Sequence, residues 1–103
     1  MSSPIETSYF NRMVDKAFNM LLNKMECLSD TVNEQDGGIS FSINNIGEYM
    51  FNRQPTSKQL WASSPITGPC RFNIKEDQWI HYKNNLSLSK YLDMEISQIK
   101  KQA

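Results

Sequence analysis

The sequence predicts an α+β fold, a two-layer sandwich in which an N-terminal and a C-terminal helix pack on one face of an antiparallel sheet of about five strands or more. Two patterns lead to this prediction. Apolar residues recur at helical spacing near both ends of the chain, and short alternating segments joined by turn residues lie between them. Hairpin-linked strands flanked by helices favour this arrangement because each element has one apolar side to bury.

The first helix is predicted from Phe10 onward. Apolar residues follow at alternating steps of three and one, with a final step of three to Leu28, and this spacing is typical of an amphipathic helix. Thr7 or Ser8 is the expected N-cap. The opposite side of the helix is polar and partly acidic, and we expect it to face water.

Five strands are predicted where apolar and polar residues alternate between turn signals. The inward residues of the first four are expected to be Ile39, Phe41 and Ile43, then Tyr49 and Phe51, then Leu60 and Ala62, then Phe72 and Ile74. The fifth segment, from Trp79 to Tyr82, is a strand by propensity. Its inward side stays open between Trp79 with His81 and Ile80 with Tyr82.

The last helix is predicted to follow Ser87, whose hydroxyl can serve as its N-cap. Its apolar side is expected to comprise Leu88, Leu92, Ile96 and Ile99. With 103 residues and 39% apolar content, the chain is long enough for one core and too short for two. We therefore expect a single domain over residues 1–103, with residues 1–7 as a flexible N-terminal tail.

Composition and charge argue against several classes of protein. Eleven basic and eleven acidic residues give zero net charge, whereas a nucleic-acid binder needs a basic surface. No apolar run is longer than that from Met20 to Leu22, which is far shorter than the ~20 residues that cross a bilayer. Met1 to Tyr9 contains Glu6 and no Arg, unlike an organellar presequence.

Cys27 and Cys70 lack C-x-x-C spacing, so free thiols are expected. One histidine cannot supply both a base and an orienting group, so no nucleophilic catalytic site is predicted.

Trp61 is the first candidate binding residue, because the alternation places it on the polar side of a strand whose Leu60 and Ala62 point inward. An exposed Trp in a polar surround that contains Arg is typical of binding hot spots. The alternative is a Trp covered by a loop, or a register shift of one residue that turns it inward. Its expected neighbours on the polar face are Asn52, Gln54, Gln59, Ser63 and Arg71.

Acidic residues in the first third of the chain form the second candidate site. Up to Asp36 there are six acids and three bases, and the remainder has five acids and eight bases, so the two parts carry about −3 and +3. Carboxylates raise the local concentration of hard cations. Glu26 and Asp30, one helical turn apart, could share an ion. The alternative is an ordinary solvated helix face.

The stretch from Gly47 to Ile99 resembles the frataxin family. The elements that match in order and spacing are Asn52-Arg53-Gln54, Lys58-Gln59-Leu60-Trp61, Ser63-Ser64-Pro65, Gly68-Pro69, Trp79 and Ser87-Leu88. The resemblance implies a non-catalytic regulator that binds the complex of cysteine desulfurase and iron–sulfur scaffold protein and promotes sulfur transfer toward cluster synthesis. The implied docking residues are Asn52, Gln54, Gln59, Trp61 and Arg71.

The resemblance also implies weak binding of ferrous iron, with no tightly bound cofactor, through an acidic ridge. The matching acids are Asp15, Glu26, Asp30, Glu34 and Asp36. An iron chaperone or storage protein with ferroxidase activity through this ridge is the second hypothesis. Family members work in the mitochondrial matrix, in mitochondrion-derived organelles or in bacterial cytoplasm, and the Ser-Ser-Pro and Gly-Pro elements resemble the mitochondrial type. We expect a monomer, and iron-dependent self-association stays open.

Overall fold

Six antiparallel strands and two α-helices make up residues 6–102, the part of the chain that the computed structural model describes. In chain order the elements are α1 Thr7–Met25, a 3₁₀ helix Glu26–Leu28, β1 Thr31–Gln35, β2 Gly38–Ile43, β3 Gly47–Gln54, β4 Gln59–Ser64, β5 Gly68–Lys75, β6 Gln78–His81 and α2 Leu88–Gln102. The strands lie side by side in chain order, so every neighbouring pair is a hairpin. Residues 1–5 of the expected tail lie outside the described residues, and Thr7 already belongs to α1.

The sequence did not predict the edge strand β1, and it continued α1 to Leu28, where the structure has the 3₁₀ helix. Four of the five residues of β1 are exposed, and Val32 alone is half-buried. A polar strand at the edge of a sheet has little to bury, so it shows no apolar alternation. A turn at Asp36 and Gly37 joins β1 to β2, and Gly37 has a φ of +77° that favours glycine.

The core lies between the sheet and the two helices, and this confirms the predicted α+β sandwich. Every expected inward residue of the first four predicted strands is buried except Ile74, which is half-buried. Buried helix residues complete the core: Phe10, Met13, Val14, Ala17, Leu21, Met25, Leu88, Tyr91, Leu92 and Ile99. The Ser87 cap is also confirmed, because the Lys90 N–H donates to Ser87 Oγ at 3.2 Å. No helix within residues 6–102 is long and apolar enough to cross a membrane.

The start of α1 differs from the sequence prediction. The carbonyl of Glu6 accepts the N–H of Phe10 at 2.9 Å, which makes Glu6 the N-cap residue. Thr7 and Ser8 are therefore already inside the helix, and the prediction that one of them is the cap is wrong. The Glu6 side chain makes no capping hydrogen bond.

The inward side of β6 is settled by Trp79. Its indole N–H donates to the carbonyl of Met13 in α1 at 2.9 Å, and its ring packs edge-on against Phe10 with centroids 6.1 Å apart. His81 follows on the same buried side, so Tyr82 points to the outer face of the sheet.

A buried carboxylate joins α2 to the sheet. Glu95 is 3% exposed. Its Oε1 accepts hydrogen bonds from the hydroxyls of Tyr49 at 2.8 Å and Ser64 at 2.6 Å, and its Oε2 accepts one from Thr67 at 2.7 Å. Burial, and then the hydrogen bond to Glu95, raise the pKa of Tyr49 above its usual range, so this hydroxyl remains a donor at neutral pH.

Candidate functional site

The outer face of the sheet, opposite the helices, carries the docking residues predicted from the sequence. Asn52, Trp61 and Arg71 are direct cross-strand partners on β3, β4 and β5. Trp61 is 45% exposed, so the alternation placed it on the correct side of its strand. Gln54 and Gln59 pair in the adjacent row. We call these five residues the Trp61 surface.

Gln59 fixes the indole of Trp61. Its Oε1 accepts the indole N–H at 2.9 Å, and its Nε2 donates to Oδ1 of Asn73 on β5, also at 2.9 Å. The polar atom of the indole is therefore satisfied within the sheet. What Trp61 presents outward is mainly apolar ring, the part that gains most from being removed from water.

Asn52 on β3 lies directly beside Gly38, its cross-strand partner on β2. A Cβ atom at Gly38 would collide with the side-chain oxygen of Asn52. Because Gly38 has no side chain, the amide of Asn52 can lie close to the backbone at this point. A polar depression over β2 has Gly38, Ser40 and Asn52 in its lining.

Tyr82 was missed as a site residue. The centre of the Arg71 guanidinium lies 4.4 Å from the centroid of the Tyr82 ring, and the Tyr82 N–H donates to the Arg71 carbonyl at 3.0 Å. The sequence pattern of β6 did not decide which of its sides faces outward. The buried position of Trp79 was the signal that was needed, because Tyr82 then alternates outward.

A cavity of about 230 Å³ lies between the exposed rings of Trp61 and Tyr82. We call this space the Arg71 cavity, and it is lined by Trp61, Pro69, Cys70, Arg71 and Tyr82.

The thiol of Cys70 forms part of this lining. Burial raises the pKa of the half-buried thiol, so the thiol stays protonated at neutral pH. Cys70 and Cys27 are both free, as predicted.

The acids of the predicted ridge do not converge. All are exposed, and they lie on α1 (Asp15), on the 3₁₀ helix (Glu26), before β1 (Asp30), on β1 (Glu34) and in the turn after it (Asp36). Glu26 and Asp30 are not one helical turn apart, because α1 ends at Met25. Asp30 instead accepts the backbone N–H of Asn44 at 2.5 Å. Residues 6–102 contain no group of three or more His, Cys, Asp or Glu side chains that could hold a metal ion.

The fold and its surface define an α+β sandwich that leaves one sheet face uncovered, with an arginine and aromatic rings exposed there. The family model described as Frataxin-like domain matches residues 3–102. Frataxin of Trachipleistophora hominis is 40% identical over 63 residues, which cover 61% of this chain and 59% of that protein. Mitochondrial frataxin of Dictyostelium discoideum is 30% identical over 101 residues, covering 89% of this chain and 52% of that protein.

A solved structure is also similar. Trimeric frataxin from the yeast Saccharomyces cerevisiae, complexed with ferrous iron, has a TM-score of 0.64 and 26% identity, and the alignment covers 95% of this chain and 88% of that one. The chain belongs to the frataxin family. It spans somewhat more than half the length of the two curated relatives described above.

Proposed function

We propose that the chain regulates iron–sulfur cluster assembly by docking, through the Trp61 surface, on the complex of cysteine desulfurase and scaffold protein, where it promotes sulfur transfer. One observation carries this proposal: a large aromatic ring stands exposed in the middle of the uncovered sheet face, between Asn52 and Arg71. Truncation of such an aromatic anchor commonly costs ~2 kcal/mol or more of binding energy.

Each residue of the row has a distinct part in docking. The ring of Trp61 supplies apolar area that the partner removes from water. Asn52 and Arg71, on either side, supply hydrogen-bond donors that fix the orientation of the partner. The site of action that we propose is the mitochondrial matrix or a mitochondrion-derived organelle, and the name of the Dictyostelium relative, mitochondrial frataxin, supports it.

The test compares Trp61→Ala with Met94→Ala. Met94 is 58% exposed but lies on α2, in the helical layer. Its variant therefore removes an exposed apolar side chain that is not part of the Trp61 surface. Calorimetry should show at least about 30-fold weaker binding of Trp61→Ala to the desulfurase–scaffold complex, and sulfide production should lose its stimulation. Met94→Ala should behave as the unchanged protein does. Equal stimulation by both variants would contradict docking through this surface.

We also propose weak binding of ferrous iron as cargo by the exposed ridge carboxylates, which the ferrous complex of yeast frataxin supports. Within residues 6–102 no three acidic, His or Cys side chains gather as ligands, and this supports weak binding by separate carboxylates. An iron chaperone, storage or ferroxidase role would require more than this weak binding. Calorimetry of the unchanged protein and of Glu26→Gln with Asp30→Asn should show weak binding that the double variant reduces. Undiminished binding would assign the iron elsewhere.

A further inference from the structure

The Arg71 cavity combines apolar walls with a positive charge. Its walls include the exposed rings of Trp61 and Tyr82, of which Tyr82 is 37% exposed. Arg71 stands with its guanidinium against one of these rings. Lys83 adds a second positive charge, with its ammonium nitrogen 5.6 Å from the centroid of the Tyr82 ring.

The charge of Arg71 is not balanced within the described part of the chain. The one ion pair there joins Lys24 and Asp93, and the Arg71 side chain donates no hydrogen bond to any residue from 6 to 102. The guanidinium carbon lies over the face of the Tyr82 ring, and the guanidinium N–H groups have no acceptor among residues 6–102. A planar fork of donors with this freedom matches a carboxylate, which it can bind through two parallel hydrogen bonds.

We propose that the Arg71 cavity is a subsite for a polypeptide partner that presents a carboxylate next to an apolar side chain. The apolar side chain enters between the rings of Trp61 and Tyr82, and the carboxylate pairs with Arg71. Tyr82 is a positioning residue, because its ring holds the guanidinium in place. This subsite deepens the proposed docking function and rests on it for the identity of the partner, but its chemistry can be tested alone.

The direct test uses N-acetyl-leucine, which carries a carboxylate beside an apolar side chain, and N-acetyl-leucinamide, which lacks only the charge. For a ligand of this size, a dissociation constant of the order of millimolar is expected. In ¹H–¹⁵N NMR titrations, N-acetyl-leucine should shift the Trp61 indole N–H and the amides of Cys70, Arg71 and Tyr82. N-acetyl-leucinamide should bind at least about tenfold more weakly, because it cannot form the charged pair.

Variants separate the roles of the two side chains. Arg71→Gln should make the acid and the amide bind equally weakly. Tyr82→Ala should weaken binding of the acid by about three- to tenfold, whereas Tyr82→Phe, which keeps the ring, should retain it. Equal binding of acid and amide by the unchanged protein, or no shift at these residues with tens of millimolar acid, would overturn the proposal.

The outcome is distinguishable from failure of the docking function. Suppose that the desulfurase–scaffold complex binds the unchanged protein but not Trp61→Ala, and binds Tyr82→Ala and Tyr82→Phe equally well. Docking then stands and the subsite is refuted. If the complex does not bind the unchanged protein but the acid-specific shifts appear, the subsite stands and the partner was wrongly assigned.

Discussion

Replacing Glu95 by Ala should destabilise the protein severely, because the substitution leaves its buried partners without an acceptor. Two of the three hydroxyls that donate to Glu95, those of Tyr49 and Ser64, belong to buried residues, whereas Thr67 is exposed and can turn to water. An orphaned buried donor costs ~1–3 kcal/mol, so two of them give a loss of about 4 kcal/mol. Small domains have a total stability of roughly 5–15 kcal/mol, so this loss is a large part of it.

The assay is urea unfolding followed by circular dichroism, with thermal unfolding beside it. About 4 kcal/mol corresponds to a melting temperature lower by roughly 15–30 °C in a domain of this size. The matched control is Asp93→Ala, which removes a carboxylate from the same helix. Asp93 is exposed and paired only with Lys24 at the surface, so this change should cost no more than ~1 kcal/mol. If the two variants are equally stable, the three hydrogen bonds do not contribute as reasoned.

Two further predictions concern titratable groups. Burial, and then the nearby charge of Lys83, lower the pKa of His81 from its ordinary value of 6.5, so the unfolded chain takes up a proton at a higher pH than the folded one. The stability that His81 contributes is therefore complete above about pH 6.5 and falls as the pH is lowered. By NMR, the C2 proton of the single histidine should titrate with a midpoint below pH 6.5. A midpoint above pH 6.5 would contradict this reasoning. Cys70, half-buried with a raised pKa, should react with a disulfide reagent at neutral pH more slowly than the exposed Cys27, and peptide mapping that finds Cys70 labelled first would be the opposite result.

The sequence was sufficient to predict the elements in which burial follows a regular period. Apolar spacing in both helices and alternation in four strands located most of the core, and the same alternation placed Trp61 outside. The edge strand β1 escaped because Val32 is its only apolar residue, and one apolar residue gives no alternation. Its existence depends on backbone pairing with β2, which leaves no mark in side-chain hydrophobicity.

Local pattern was not sufficient to predict two features of the structure, each for its own reason. The outward position of Tyr82 depends on a hydrogen bond from Trp79 to Met13, 66 residues away in the chain. Glu95 shares the side of α2 that buries Leu92 and Ile99, so its helical spacing did signal burial. Spacing could not supply the partner hydroxyls, one from β3 and two from the end of β4 and the turn after it, that make burial of a carboxylate tolerable.

The hydrogen bond from the indole of Trp61 to Gln59 has a consequence for the strength of association. A ring that is already held in one rotamer loses little conformational entropy when a partner covers it, so more of its contact energy remains as affinity. Replacing Gln59 by Ala would free the ring while leaving its area unchanged. The protein thus orders its principal contact during folding, before any encounter with a partner.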